Sequence, residues 1–361
     1  MKIDSLINNA VSLIVDDEKK RHSASKRILS LRDKFSKLKS PEMKEECLSY
    51  AVKKNGLDAK VGGVDSGFVS KRLANAELVF IRSVGVVFEY KKSRLCGSSY
   101  YPDFYHFPEP KINNLALDHD EAACSISLLR LVEEVKTAEE IIEKYKPEFC
   151  FLDGSIIPQY ADKPRKDSKV HSFYREIIDE FQKLYSTAEK NNCTLVACVE
   201  DSRGSRIREI LQHTLEKEGS AFLVENMLDS MLLDSILSKG ERSFSFNYTS
   251  SIREHPILMD YDRKWAEGIY AFYIKTAELD RPLRVEFISS EKNLCGDASR
   301  IAEIVYSLSS MHREYAFPSV LIEADLRARL RPEEIETVYN KIIDKIGRTT
   351  KITMRRNHRP F

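Results

Sequence analysis

At Val61 the apolar pattern of the chain changes period, and that change decides what the chain can fold into. Before it, residues 1 to about 55 read as helices; after it, VGGVDSGFVS and ELVFIRSVGVVFEY carry the Val, Ile and Phe enrichment of consecutive strands, the second one long. From Asp118 to Lys146 apolar residues return at helical intervals (Leu128, Leu131, Val132, Val135, Ala138, Ile142). Pro147 closes that run before FCFLDGSII, a short buried strand. A helical stretch from Ser168 to Lys190 then leads to TLVACVE, again a strand. Strands on short connections followed by helix, strand, helix and strand predict an α/β fold, a mixed sheet flanked by helices.

Beyond Asp201 helices are expected near 206–217, 225–238, 298–310 and 332–346, with strands at IYAFYI and LRVEFI. The Pro-containing YYPDFYHFPEPK (100–111) reads as an ordered surface loop whose Tyr100, Tyr101, Phe104 and Tyr105 suit either packing or stacking on unpaired bases. No repeat or low-complexity linker divides the chain. We therefore expect a helical basic arm over 1–55, one domain over 56–361, and elaborations toward the C-terminus.

Charge narrows the function classes. The 57 Lys+Arg nearly cancel the 56 Asp+Glu, which excludes a uniformly basic nucleic-acid coat. The basic residues cluster instead: Lys19 to Lys39 holds nine against Asp33 alone, and Lys345 to Phe361 holds six and no acid. Neither a run of eighteen apolar residues nor a secretory signal is present, so a cytoplasmic protein without a membrane partner is expected. Seven scattered cysteines without a CxxC pair argue against disulfides and zinc. The eight histidines form no HxH or HxxxH spacing, and neither GxSxG nor GxxxxGK[ST] occurs, which removes the serine-nucleophile and P-loop classes.

Carboxylates remain. Asp65 lies inside the first strand, in GGVDSGF, and Asp153 ends a later buried strand, in FLDGS. Burying an ionised carboxylate is costly unless a cation or hydrogen bonds compensate it, although Asp before Gly or Ser is also turn chemistry. On the 118–146 helix, Glu134 falls about 90° from the centre of the apolar face and Glu133 nearly opposite it, at 100° per residue. A solvated helix acid is one reading of Glu134. The other joins it to Asp65 and Asp153 in the oxygen-rich cluster that Mg²⁺ or Mn²⁺ prefers, where two ions serve phosphodiester cleavage.

Several segments resemble, in order over about 60–330, the NurA nucleases, DNA-end-processing enzymes that operate with the HerA hexameric ATPase. They are VDSGF, RLVEEVKTAEE followed by FLDGS, VACVEDSRGSRI, LLDSILSKGERSFSF, AFYIKTAELDRPLRVEFI and YAFPSVLIEADLRARL. The resemblance implies an RNase H-like fold and a manganese- or magnesium-dependent deoxyribonuclease whose metal-binding acids fall on Asp65, Glu134 (with Glu133 as the neighbouring alternative) and Asp153. Its distal motif falls on Tyr315 and Asp325. Relatives often carry His near the latter, and an acid there is either a fourth metal ligand or a helix N-terminal acid. Where many relatives have Lys, this chain has Glu200 and Asp201, which leaves Arg203 or Arg206 to meet phosphate. Arg355 and Arg356 of the basic tail are further candidates for DNA contact. The resemblance also implies 5′ to 3′ exonuclease and single-strand endonuclease activity on single- and double-stranded DNA, a homodimer, and a HerA-like ATPase partner in end resection and double-strand-break repair. Two rival classes stand beside it: an actin-like ATP phosphotransferase, for which no second Gly-rich phosphate turn is found, and a DNA- or partner-binding subunit without catalysis.

Overall fold

The structure, a computed structural model, describes residues 3–32, 42–74, 76–113, 116–216 and 219–347. In chain order the strands are β1 (Ser49–Ala51), β2 (Ala59–Arg72), β3 (Glu77–Lys91), β4 (Arg94–Tyr101), β5 (Glu109–Asn113), β6 (Phe149–Asp153), β7 (Thr194–Val199), β8 (Glu241–Ser243), β9 (Phe246–Asn247), β10 (Ile269–Lys275) and β11 (Leu283–Ile288). The helices are α1 (Ile3–Ser30), α2 (His119–Tyr145), α3 (His171–Lys190), α4 (Arg206–Glu216), α5 (Asp229–Asp234), α6 (Arg263–Glu267), α7 (Leu294–Ser309), α8 (Ser319–Ala328) and α9 (Pro332–Ile346). As expected, strands and helices make a mixed α/β fold, in two compact units. One comprises Met1–Leu57, Val196–His255 and Ala266–Pro318; the other comprises Asp58–Leu195, Pro256–Trp265 and Ser319–Phe361.

The second of these carries the acids singled out above. Its sheet runs β6-β2-β3-β4, with β5 also on β3. β2 and β3 form a long antiparallel hairpin, in register from Ala59↔Tyr90 to Arg72↔Glu77, and β6 lies parallel to β2 from Val61↔Phe149 to Val64↔Leu152. Antiparallel and parallel pairing therefore meet at β2. Helix α2 starts on a capping box between Asp118 and Glu121 and ends at Lys146, whose left-handed backbone (φ 49°) turns the chain into Pro147. It presses on one face of the hairpin so closely that a Cβ at Gly85, the partner of Val64, would stand 2.3 Å from Ile141 Cγ2. On the other face α8 comes equally near, since a Cβ at Gly67 would stand 2.6 Å from the Ala328 carbonyl oxygen. Alternation along β2 then sorts the side chains: Val64 and Ser66 face α2, Asp65 and Gly67 face α8. Helix α9 closes the far end, where Ile335 and Ile343 pack with Leu73, Leu78 and Phe80.

The segment 100–111 is only partly loop, because Tyr101 ends β4 and Glu109–Asn113 pairs with β3 as β5. Backbone pairing makes this strand, not apolar burial: most of it is exposed, and Pro110 is tolerated because only one side of the strand is hydrogen-bonded.

The other unit has an antiparallel sheet in the order β1-β8-β10-β11, with Val196–Val199 of β7 beyond β11 and β9 on β10. Ala24 and Ile28 of α1 pack with Ile207, Ile210 and Leu211 of α4 and with Phe244 and Phe246. A bidentate ion pair, Arg242 to Glu45 at 2.7 Å on both oxygens, is buried in it. The helix expected over 225–238 is confined to Asp229–Asp234. Among the described residues no helix is long and apolar enough to cross a membrane.

Candidate metal centre

The strand β6 consists of four buried residues followed by half-buried Asp153, and it stops there because Gly154 takes a left-handed φ of 92°. The last paired positions are Val64 and Leu152, so Asp65 and Asp153 are the next residues in register on neighbouring parallel strands. β6 ends at this level, whereas β2 continues. Asp65 is 9% exposed, and burial pushes its carboxyl above the usual range. The backbone N–H of Ser66 opposes that shift, the negative charge of Asp325 on α8 adds to it, and Arg130 opposes it again.

On the opposite face α2 delivers Glu134, 6% exposed and midway along the helix. Its carboxyl is pushed up to about 7, chiefly by burial, with Arg130 and Ser66 working against the shift and the charge of Asp65 working with it. Ser66 Oγ donates to Glu134 Oε2, and Arg130 Nη1 donates to the same oxygen at 2.6 Å and to Ser66 Oγ at 3.0 Å. Glu133, one residue earlier, turns outward and pairs with Lys111 at 3.0 Å. Sequence pattern does not single out Arg130 or Ser66. Arg130 stands four residues before Glu134, the spacing of a helical ion pair, and that was the available signal.

Asp65 thus feels the charge of Asp325, Glu134 feels that of Asp65, and Asp153 is fixed beside Asp65 by strand register. Among the described residues, however, no three His, Cys, Asp or Glu side chains stand close enough together to hold a metal ion as they are placed. The donor set nonetheless fits Mg²⁺ or Mn²⁺ in kind: carboxylate oxygens only, two of them on buried residues whose ionised form is disfavoured until a cation compensates it.

Asp325 is exposed on α8, near enough for its charge to act on Asp65. The other sequence candidates lie elsewhere. Arg203, Arg206 and Tyr315 belong to the other unit. There Arg203 is exposed, Arg206 is ion-paired with Glu42 at 2.5 Å and Glu209 at 3.3 Å, and Tyr315 leans on Phe317 with ring centres 6.1 Å apart. Arg355 and Arg356 lie outside the described residues. In the unit of Asp65, exposed Phe104 lies under the Arg327 guanidinium of α8 at 4.0 Å.

Comparison with known proteins places these residues in a family context. The family model described as NurA domain matches residues 59–337. The crystal structure of the NurA nuclease from Sulfolobus solfataricus is similar over 96% of this chain and 98% of its own, at 14% identity and a TM-score of 0.55. A crystal structure of NurA bound to dAMP and manganese is similar over 95% of this chain and 98% of its own, at 10% identity and a TM-score of 0.51. These similarities show a shared fold, a mixed sheet flanked by helices. No curated protein matches the sequence.

Proposed function

The chain belongs to the NurA family, and from that premise we propose that it is a metal-dependent deoxyribonuclease. Asp65, Glu134 and Asp153 hold two Mn²⁺ or Mg²⁺ ions, with Asp325 as a further ligand. The observation that carries this reading is the buried pair of raised carboxylates, Asp65 and Glu134, at the level where β6 ends on Asp153. When bound, the ions supply an activated water and a Lewis acid for the leaving oxygen. The chain supplies the rest. Asp65 and Asp153 set the spacing of the ligands through strand register, and Glu134 projects from the middle of a 27-residue helix capped at both ends. Arg203, Arg206, Tyr315, Arg355 and Arg356 bind the DNA strand.

The fuller activity follows the family: 5′ to 3′ exonuclease and single-strand endonuclease action in end resection and double-strand-break repair, as a cytoplasmic homodimer fed by a HerA-like hexameric ATPase. One observation favours a second reading, a DNA-binding subunit without catalysis: three acids do not converge as placed. Digestion of single- and double-stranded DNA with Mn²⁺ by the wild type and Asp153→Ala separates the two. Loss of cleavage in the variant supports the nuclease; equal activity overturns its mechanism, and no cleavage by either favours the binding subunit.

A further inference from the structure

The two oxygens of Glu134 meet unlike surroundings. Every hydrogen bond it receives from the described residues falls on Oε2, from Ser66 Oγ and from Arg130 Nη1 at 2.6 Å. Arg130 Nη1 also donates to Ser66 Oγ at 3.0 Å, so the three groups close a ring of contacts. Oε1 takes no part in that ring. A carboxylate left alone turns over a broad range about its last bond, and two donors on one oxygen hold it in a single orientation.

The ring is built from two elements. Ser66 follows Asp65 on β2 but points to the opposite face, toward α2, and Arg130 stands one helical turn before Glu134 on α2 itself. One strand therefore offers a carboxylate on one face and a carboxylate's anchor on the other. We propose that Ser66 and Arg130 are positioning residues that lock Glu134 through Oε2 so that Oε1 alone is offered to the divalent ion. This inference rests on the metal site of the nuclease reading. It assigns the anchoring of one ligand, a role that helix and strand pattern alone leave open.

Groups that orient a metal ligand from behind are typically worth 10–100-fold in metal affinity. Calorimetric titration of the full chain with MnCl₂ tests the lock. Ser66→Ala and Arg130→Gln should each weaken Mn²⁺ binding about 10–100-fold. Combined, they should weaken it by less than the product of the two, because they act through one oxygen. Arg130→Lys, which retains a cation able to reach Oε2, should recover part of the loss. The metal-free melting midpoint of Ser66→Ala, which removes one hydroxyl, shows that the fold is kept and holds the test open if Arg130→Gln does not fold.

Unchanged or tighter Mn²⁺ binding in folded Ser66→Ala and Arg130→Gln overturns the proposal; tighter binding makes Arg130 a competitor of the ion. Glu134→Gln separates the two levels. If it binds Mn²⁺ as the wild type does, the metal site itself falls. If it alone loses binding, the site stands and only the lock falls.

Discussion

Replacing Glu134 by Gln removes a titration that should be visible in the stability of the metal-free protein. The Glu134 carboxyl is pushed from 4.5 to about 7, mainly by burial. The folded state therefore keeps its proton to higher pH than the unfolded chain does. Stability from this group is fully present below the unfolded value and is lost as pH rises to the folded one. The slope approaches about 1.4 kcal/mol per pH unit between the two values, so from pH 5.5 to 7 the wild type should lose about 1.6 kcal/mol relative to Glu134→Gln, and about 0.4 kcal/mol more by pH 8. Urea unfolding of both proteins in EDTA at half-unit steps measures the difference directly, because the titrations they share largely cancel. Saturating Mn²⁺ at pH 8 should then restore stability to the wild type alone, since binding to the folded state shifts the equilibrium by mass action. A difference that stays flat from pH 5.5 to 7, or that grows in favour of the wild type, refutes the claim that Glu134 is held protonated by its surroundings.

Two further outcomes bear on the same helix. Gly85→Ala places a methyl against Ile141 and should destabilise the protein by about 1–3 kcal/mol, read as a lowered melting midpoint, and an unchanged midpoint would show that α2 sits farther from the sheet than described. Glu133→Gln breaks only a half-exposed pair with Lys111 and should change stability by less than about 1 kcal/mol and leave Mn²⁺ affinity unaltered, which a titration beside Glu134→Gln checks.

The parts legible in the sequence are those set by local pattern. The α2 boundaries follow from the Asp118 cap and from Pro147, and the β2 and β3 runs from their Val, Ile and Phe content. Helical arithmetic also separates buried Glu134 from outward Glu133. What it leaves open is the partner across the gap. Strand alternation aims Asp65 at α8 and gives Glu134 the hydroxyl of Ser66 instead, and only the packed pair of elements reveals this. β5 escaped for a related reason: its residues bury little, so no apolar alternation announces a strand that exists through backbone pairing. The buried Arg242–Glu45 pair joins residues almost two hundred positions apart, beyond the reach of any local pattern.

The close seat of α2 on Gly85 has a mechanical side. Ile141 and Glu134 are seven residues apart, nearly on one line along the helix and separated by about 10 Å at 1.5 Å per residue. A stiff rod resting at one point sets the height of every other point on the same line. The missing methyl at position 85 is thus a fulcrum, and the depth at which the carboxylate hangs over the strands is adjusted from a residue outside the candidate ligand set.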